Sequence, residues 1–265
     1  MRYDRQLLLL GAKRHAVLEL AEVCAYGRDS YGDADYVSIY GLQPAQWYAK
    51  GIRLLGRTAV ECTRDELADR IGRDAAAVAK QWVASERPLL IDPFVGSGNT
   101  LYWLARHLAV AQGVGFELDP AVFALTQSNL ATLELPVRVL NADYRAAIGS
   151  VTPAVNQLVV AFIAPPWGDA LDPTAGLDLR RTYPPVPEVV ARLSAQFADS
   201  PLLFVIQVHE TLTTASLNDI AAAVDWSSLK IYDLLPRGSN HGVLLATRRW
   251  TPGGDPAANP AASLP

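Results

Sequence analysis

A short apolar run, Leu89-Leu90-Ile91, passes directly into Asp92-Pro93-Phe94-Val95-Gly96-Ser97-Gly98-Asn99-Thr100, and a helical pattern follows to about Ala111. A strand, a tight glycine turn and a helix in that order constrain the architecture more than any other feature of the chain. Two glycines one residue apart let backbone amides approach a ligand closely. The helix that follows points its amino end at the same place. In a doubly wound α/β sheet this is the carboxyl edge, where ligands sit.

The rest of the chain after Pro88 supports that reading. Short β runs alternate with helical patterns: Gly113 to Phe116, Val137 to Leu140, Leu158 to Ile163, Leu202 to Val208, and a final pair at Leu229 to Leu234 and Gly242 to Thr247. Leu158 to Ile163 is continuous and apolar, as a parallel strand covered on both faces should be. Asp119-Pro120 opens a helix, with Asp119 as N-cap and Pro120 in the first turn. Alternation of strand and helix predicts an α/β doubly wound sheet.

Residues 1–86 read differently, as a helical amino-terminal extension. Leu7, Leu10, Val17, Leu18 and Ala21 recur at helix-like spacing, with Gly11 as a weak point. Gly27 to Gly41 reads as a loop. Thr63 and Glu66 fit the Thr-x-x-Glu capping box at the head of a helix running towards Val83. The expected domains are therefore the extension over 1–86, a ligand-binding domain over 87–250, and a disordered Pro-, Ala- and Gly-rich tail over 251–265.

Composition narrows the function. Half of the 265 residues are hydrophobic, which excludes a wholly disordered chain, and the net charge of −4 argues against a generic polyanion binder. Four scattered histidines and two cysteines, Cys24 and Cys62, give no metal-ligand spacing, so neither metal nor disulfide scaffold is expected. No apolar run approaches a membrane span or a secretory signal, and the expected compartment is the cytoplasm.

The ligand class follows from acids in register. Glu117 lies about 20 residues past the glycines, the spacing at which a carboxylate meets ribose hydroxyls. A dinucleotide fingerprint requires a third glycine, but Leu101 stands there. A phosphate loop requires Gly-Lys-Ser/Thr, which is absent. Asp92 at the opening of the turn disfavours a phosphate and suits a cation. S-adenosylmethionine (SAM) carries an ammonium and a sulfonium. Asp92 for its amino acid end, Glu117 for ribose and Asp143 near adenine make a SAM pattern. Alternatively, Asp92 and Asp119 are turn and cap residues, and Asp143 is an ordinary strand-end aspartate.

With these residues in place, the chain resembles the class I SAM-dependent methyltransferases over roughly Leu89 to Trp250, which implies an α/β, Rossmann-like sheet of seven strands with the last one antiparallel. The resemblance implies cofactor binding by Asp92, Phe94, Gly96, Gly98, Asn99, Thr100, Glu117 and Asp143. The fourth strand ends in Ala164-Pro165-Pro166-Trp167-Gly168, similar to the Pro-Pro-aromatic motif of amino-methyltransferases. Two prolines remove two amide donors and leave carbonyls beside an aromatic face, a setting for a ring-attached amine. Three stretches are similar to the trimethylguanosine synthase family, which methylates the exocyclic amine of a cap guanine. They are Trp47-Tyr48-Ala49-Lys50 with Ile52 to Leu55 and Arg57, the turn Asp92 to Thr100, and Pro165 to Gly168 followed by Leu177 to Arg180. The first motif position is alanine where that family usually has serine, and the glycine turn is one glycine shorter.

By that resemblance Ala164, Pro165, Pro166 and Trp167 carry the chemistry, and Trp167 stacks on the substrate ring. Tyr48 and His209 are further substrate-binding candidates, and Asn240-His241 reads as a hairpin. Asp169 to Pro187 is either a substrate lid or a bland connection. The expected partner is a planar heterocycle, either a small molecule or an RNA guanine. Asn129-Leu130-Ala131-Thr132-Leu133 resembles bacterial ribosomal-RNA guanine methyltransferases, and a non-catalytic SAM-fold module is a further alternative.

Overall fold

The computed structural model describes residues 2–82, 86–234 and 240–253. The chain enters through a single π-turn at Gln6–Leu10, followed by α1 (Leu20–Tyr31), α2 (Pro44–Ala49), α3 (Gly56–Glu61) and α4 (Asp65–Ala79). The alternating part runs β1 (Leu89–Asp92), α5 (Asn99–Leu108), β2 (Gln112–Glu117), α6 (Pro120–Ala131), β3 (Val137–Asn141), α7 (Tyr144–Ala147) and β4 (Val159–Ile163). A two-residue-per-strand hairpin, β5 (Leu171–Asp172) and β6 (Gly176–Leu177), precedes α8 (Val186–Gln196), β7 (Leu202–His209), α9 (Thr214–Ala223), β8 (Trp226–Tyr232) and β9 (His241–Arg248).

Seven strands form one sheet in the order β3-β2-β1-β4-β7-β9-β8. β1 to β4 and β7 run parallel, and β9 inserts antiparallel between β7 and β8. This is the Rossmann-like sheet read from the sequence, with its last strand reversed. The order turns back beside β1, so β1 and β4 flank the switch point where α/β sheets bind ligands.

The sheet is covered on both faces, which explains the continuous apolar strands. All five residues of β4 are buried. Val160 and Phe162 enter the core on one face, and Val159, Ala161 and Ile163 enter the core on the other. α7, α8 and α9 line the second face. On the first face, residues of α4 and α5 pack with the sheet, and so do Leu8, Tyr26, Tyr40 and Trp47 from the amino-terminal segment. That segment shares the core of the sheet.

Several local features differ from the sequence reading. The loop expected from Gly27 begins only after α1, which continues to Tyr31 and ends at Gly32 with a left-handed φ of 76°. The Thr63–Glu66 capping box does not form. α4 starts at Asp65, with Arg64 in the N-cap position. Thr63 Oγ1 instead donates to Gln207 Oε1 at 2.9 Å, and Glu66 pairs with Arg70 at 3.0 Å. A tertiary partner outcompeted the local cap. α4 ends at Ala79, short of Val83, which lies with 84 and 85 outside the described residues. Most of the tail expected to be disordered, 254–265, is also outside them. Asp119 is the N-cap expected, accepting from the Ala121 and Val122 amides.

Candidate functional site

The glycine turn is held from three sides. The Val95 amide donates to the Phe116 carbonyl at 3.0 Å, and the Gly98 amide closes the turn onto the Val95 carbonyl at 2.7 Å. Thr126 of α6 donates its hydroxyl to the Gly96 carbonyl at 2.6 Å. Gly96 and Gly98 both take left-handed conformations, φ 49° and 74°. A side chain is strained there. At Gly98 a Cβ would also press on Leu130 and Thr126, at 3.1 and 3.2 Å. At Gly96 a Cβ would meet nothing nearer than 3.9 Å, so the space above this glycine is open.

Asp92 ends β1 almost wholly buried, 1% exposed. Among the described residues one donor reaches it, the Phe94 amide at 3.0 Å. Burial pushes its carboxyl up to about 7, the Phe94 bond pulls the other way, and neighbouring Glu117 adds to the rise. A buried carboxylate with one neutral donor is poorly compensated, and a cationic ligand group compensates it. Glu117 ends β2 in register with Asn141 of β3. Its two oxygens accept from the Gly96 amide at 3.1 Å and the Asp119 amide at 2.9 Å. Burial raises its pKa, and Arg57 opposes the rise. A carboxylate offers about four lone-pair sites, so acceptor capacity remains for hydroxyls. The donor set suits a ligand with a cationic end and a diol.

The other expected cofactor residues divide. Phe94 is half-buried and packs edge-on against Tyr144, centroids 5.4 Å apart. Thr100 is buried in the first turn of α5. Asn99, expected to face the cofactor, spends its side chain within the protein. Its Oδ1 accepts from the Tyr40 amide at 2.7 Å and its Nδ2 donates to the Thr63 carbonyl at 2.7 Å. The Tyr40 hydroxyl in turn donates to the Ser97 carbonyl. Tyr40 was not singled out in the sequence, and no sequence signal marks it. Asp143 caps α7 and is gripped by Arg145, with Nε within 3.0 Å of both carboxylate oxygens and Nη2 at 2.5 Å from one of them. Arg145 holds its pKa below the usual carboxylate range.

At the end of β4, Pro165 is buried, Pro166 exposed and Trp167 half-buried. Ala164 packs beside the first core cluster and contributes no side-chain acceptor. The Trp167 ring meets two imidazoles: His209 edge-on at 6.1 Å and His241 at 5.2 Å, between centroids. His209 was expected at the site. His241, read as a hairpin residue, instead opens β9 directly opposite His209. The only sequence signal for it was its place before the last strand.

Tyr48 lies away from this group. Its hydroxyl donates to Glu19, and the Arg53 guanidinium sits 3.6 Å over its ring. No contact ties it to Trp167 among the described residues. The Asn129 segment also has an internal task, because the Asn129 amide bonds both the Arg53 amide, at 3.0 Å, and the Arg53 carbonyl, at 2.8 Å. The stretch after Trp167 is anchored to the fold. It holds the β5–β6 hairpin, the Leu177 amide bonds the Thr211 carbonyl at 2.8 Å beyond β7, and Asp178 is fixed by Arg180 and Ser216.

No family model and no curated protein matches this chain. Solved structures do resemble it. An rRNA methylase from Streptococcus thermophilus is 10% identical, with a TM-score of 0.44, covering 69% of this chain and 96% of its own. A methyltransferase from Streptococcus mutans in complex with SAH is 13% identical, with a TM-score of 0.43, covering 67% and 96%. The human methyltransferase 10 domain containing protein is 13% identical, with a TM-score of 0.48, covering 71% and 85%. No helix among the described residues is long and apolar enough to cross a membrane.

Proposed function

We propose that this chain is a SAM-dependent methyltransferase acting on a nitrogen of a planar heterocycle such as guanine, in RNA or in a small molecule. The observation that carries the reading is Asp92, a buried carboxylate beside an open glycine turn, with Glu117 on the next strand. Asp92 holds the ammonium of the methionine end. The head of α5, whose N-cap Gly98 has no side-chain acceptor to offer and whose first amide, of Asn99, is taken by Ser97 Oγ at 3.3 Å, holds its carboxylate through the amides that follow. Glu117 accepts the ribose hydroxyls. Asp143 faces the adenine amine, in exchange for part of its bond to Arg145. The resemblance of the Pro165-Pro166-Trp167-Gly168 stretch to the trimethylguanosine synthase family supports the nitrogen acceptor.

When bound, the cofactor would supply an electrophilic methyl on a sulfonium to the lone pair of the acceptor nitrogen, whose proton would pass to solvent. Trp167 holds the plane of the acceptor ring, and stacking of this kind contributes about 1–3 kcal/mol. Pro165 and Pro166 have no amide hydrogens, so the local backbone presents carbonyls to the amine. Alignment of donor and acceptor carries most of the acceleration.

Calorimetry with S-adenosylhomocysteine (SAH) on the purified protein tests the cofactor. Binding is expected, and its absence overturns the proposal. A labelled-SAM screen against total RNA and nucleobase-type metabolites, read by mass spectrometry, then identifies the acceptor.

A further inference from the structure

Recognition of a ring-attached amine needs hydrogen-bond acceptors beside the stacking face, and the backbone around Trp167 is short of side-chain ones. Ala164 has none, and Pro165 and Pro166 carry no polar side-chain atoms. The polar groups that do stand against the Trp167 ring come from two other strands. His209 is the last residue of β7 and His241 the first of β9, and the antiparallel register pairs them directly. Their rings are 6.0 Å apart and, with Trp167, form a three-ring wall at the carboxyl edge of the sheet.

The two imidazoles differ. His209 Nδ1 accepts from the Thr211 amide at 3.1 Å, which places the proton of the neutral ring on Nε2. His209 therefore presents an N–H donor. His241 Nδ1 is buried and has no hydrogen-bond partner among the described residues. A buried polar atom without a partner is costly in the absence of a ligand and becomes favourable when one supplies the missing bond.

We propose that His241 is a substrate-binding residue whose ring turns so that Nδ1, enclosed and unpaired among the described residues, accepts an exocyclic N–H of the heterocycle stacked on Trp167, and so selects an amine-bearing ring. The inference rests on the reading of Trp167 as the acceptor platform. Burial, His209 and Arg64 all push the His241 pKa down, to about 4, while Glu210 opposes them. The ring is thus neutral near pH 7 and keeps a nitrogen lone pair for an N–H. Arg64 approaches from the head of α4, bound to the Leu234 carbonyl and packed over Tyr36, and Glu210 follows His209 after β7.

The test uses two probes that differ in one amino group, guanosine 5′-monophosphate and inosine 5′-monophosphate, titrated calorimetrically into the SAH complex. The unmodified protein should bind the guanosine nucleotide about tenfold more tightly, the value of one good hydrogen bond. His241→Phe keeps an aromatic ring and removes both nitrogens. It should abolish the preference while leaving SAH and inosine nucleotide affinities unchanged. His241→Asn keeps an amide near the Nδ1 position and should restore part of the preference. A preference that survives in His241→Phe overturns the proposal. If His241→Phe loses SAH binding, His241→Asn decides: absence of any preference there, with SAH affinity intact, also overturns it. Failure of both nucleotides to bind the unmodified SAH complex overturns the acceptor platform itself, and the assignment of His241 with it.

Discussion

The Tyr40 amide donates to Asn99 Oδ1 at 2.7 Å, across 59 residues of chain. With the Asn99 bond to the Thr63 carbonyl, it fastens the amino-terminal segment to the head of α5, immediately behind the glycine turn. Asn99→Ala leaves the buried Tyr40 amide and the partly buried Thr63 carbonyl without these bonds. The expected cost is about 2–4 kcal/mol in chemical denaturation, together with weaker SAH binding because the turn loses its support. Unchanged stability would show that water or a local shift satisfies both groups.

Asp92 gives a pH signature. Its carboxyl titrates near 7 when folded, against 3.8 for an ordinary aspartate. Between these values the folded chain holds a proton that the unfolded chain has lost. Its contribution to stability is therefore fully present below about pH 4 and is lost as pH rises through about 7, by at most about 1.4 kcal/mol per pH unit. His241 acts with the opposite sign. Its folded pKa is depressed from 6.5 to about 4, so the stability present above 6.5 is lost as pH falls towards 4. Asp92→Asn should remove the first slope, so that stability measured by thermal unfolding at a series of pH values falls less steeply, or rises, with pH across that window relative to the unmodified protein.

The same carboxylate predicts proton release. An ammonium beside Asp92 favours its ionised form, so SAH binding near pH 7 should expel part of a proton. Titrations in two buffers of different ionisation enthalpy measure it directly. Asp92→Asn should bind SAH at least about tenfold more weakly, as loss of a charge-assisted bond implies, with no buffer dependence.

Trp167→Ala should leave SAH affinity intact and lower kcat/KM for the identified acceptor by about 5- to 150-fold, the range that stacking energies imply. Steady-state assays separate this from a folding defect, because the residues proposed to hold the cofactor lie on the neighbouring strands. Unchanged turnover would remove Trp167 from the acceptor site.

Gly115 shows how closely the turn packs. A Cβ there would lie 2.8 Å from Val95 Cγ2. Gly115→Ala should therefore destabilise by about 1–3 kcal/mol and disturb the glycine turn through Val95, seen as lost SAH affinity. Gly149→Ala, where a Cβ meets nothing within 4 Å, is the control and should shift stability by no more than about 0.5 kcal/mol.

The order of strands and helices after Pro88 was legible in the chain because it depends on local signals. Continuous apolar runs, a glycine turn, and an Asp-Pro helix start each act within a few residues, and the structure keeps them. The places of Asp92 and Glu117 at the ends of β1 and β2 were legible for the same reason, although Asp92 pairs with Gly115 and the two acids are offset by two residues. What depends on distant partners was not legible. Thr63 looked like a cap but donates to Gln207, 144 residues away. Asn99 looked like a ligand residue but holds Tyr40 and Thr63. His241 looked like a turn residue, yet the antiparallel return of β9 sets it opposite His209 and against Trp167. Sequence alone determined the order of the strands and, to within a residue, where the parallel ones end, whereas β8, expected over Leu229 to Leu234, runs over Trp226–Tyr232. Only the tertiary structure decided which side chains meet there, because a hydrogen bond between residues far apart in the chain depends on the packing of whole elements and leaves no local trace.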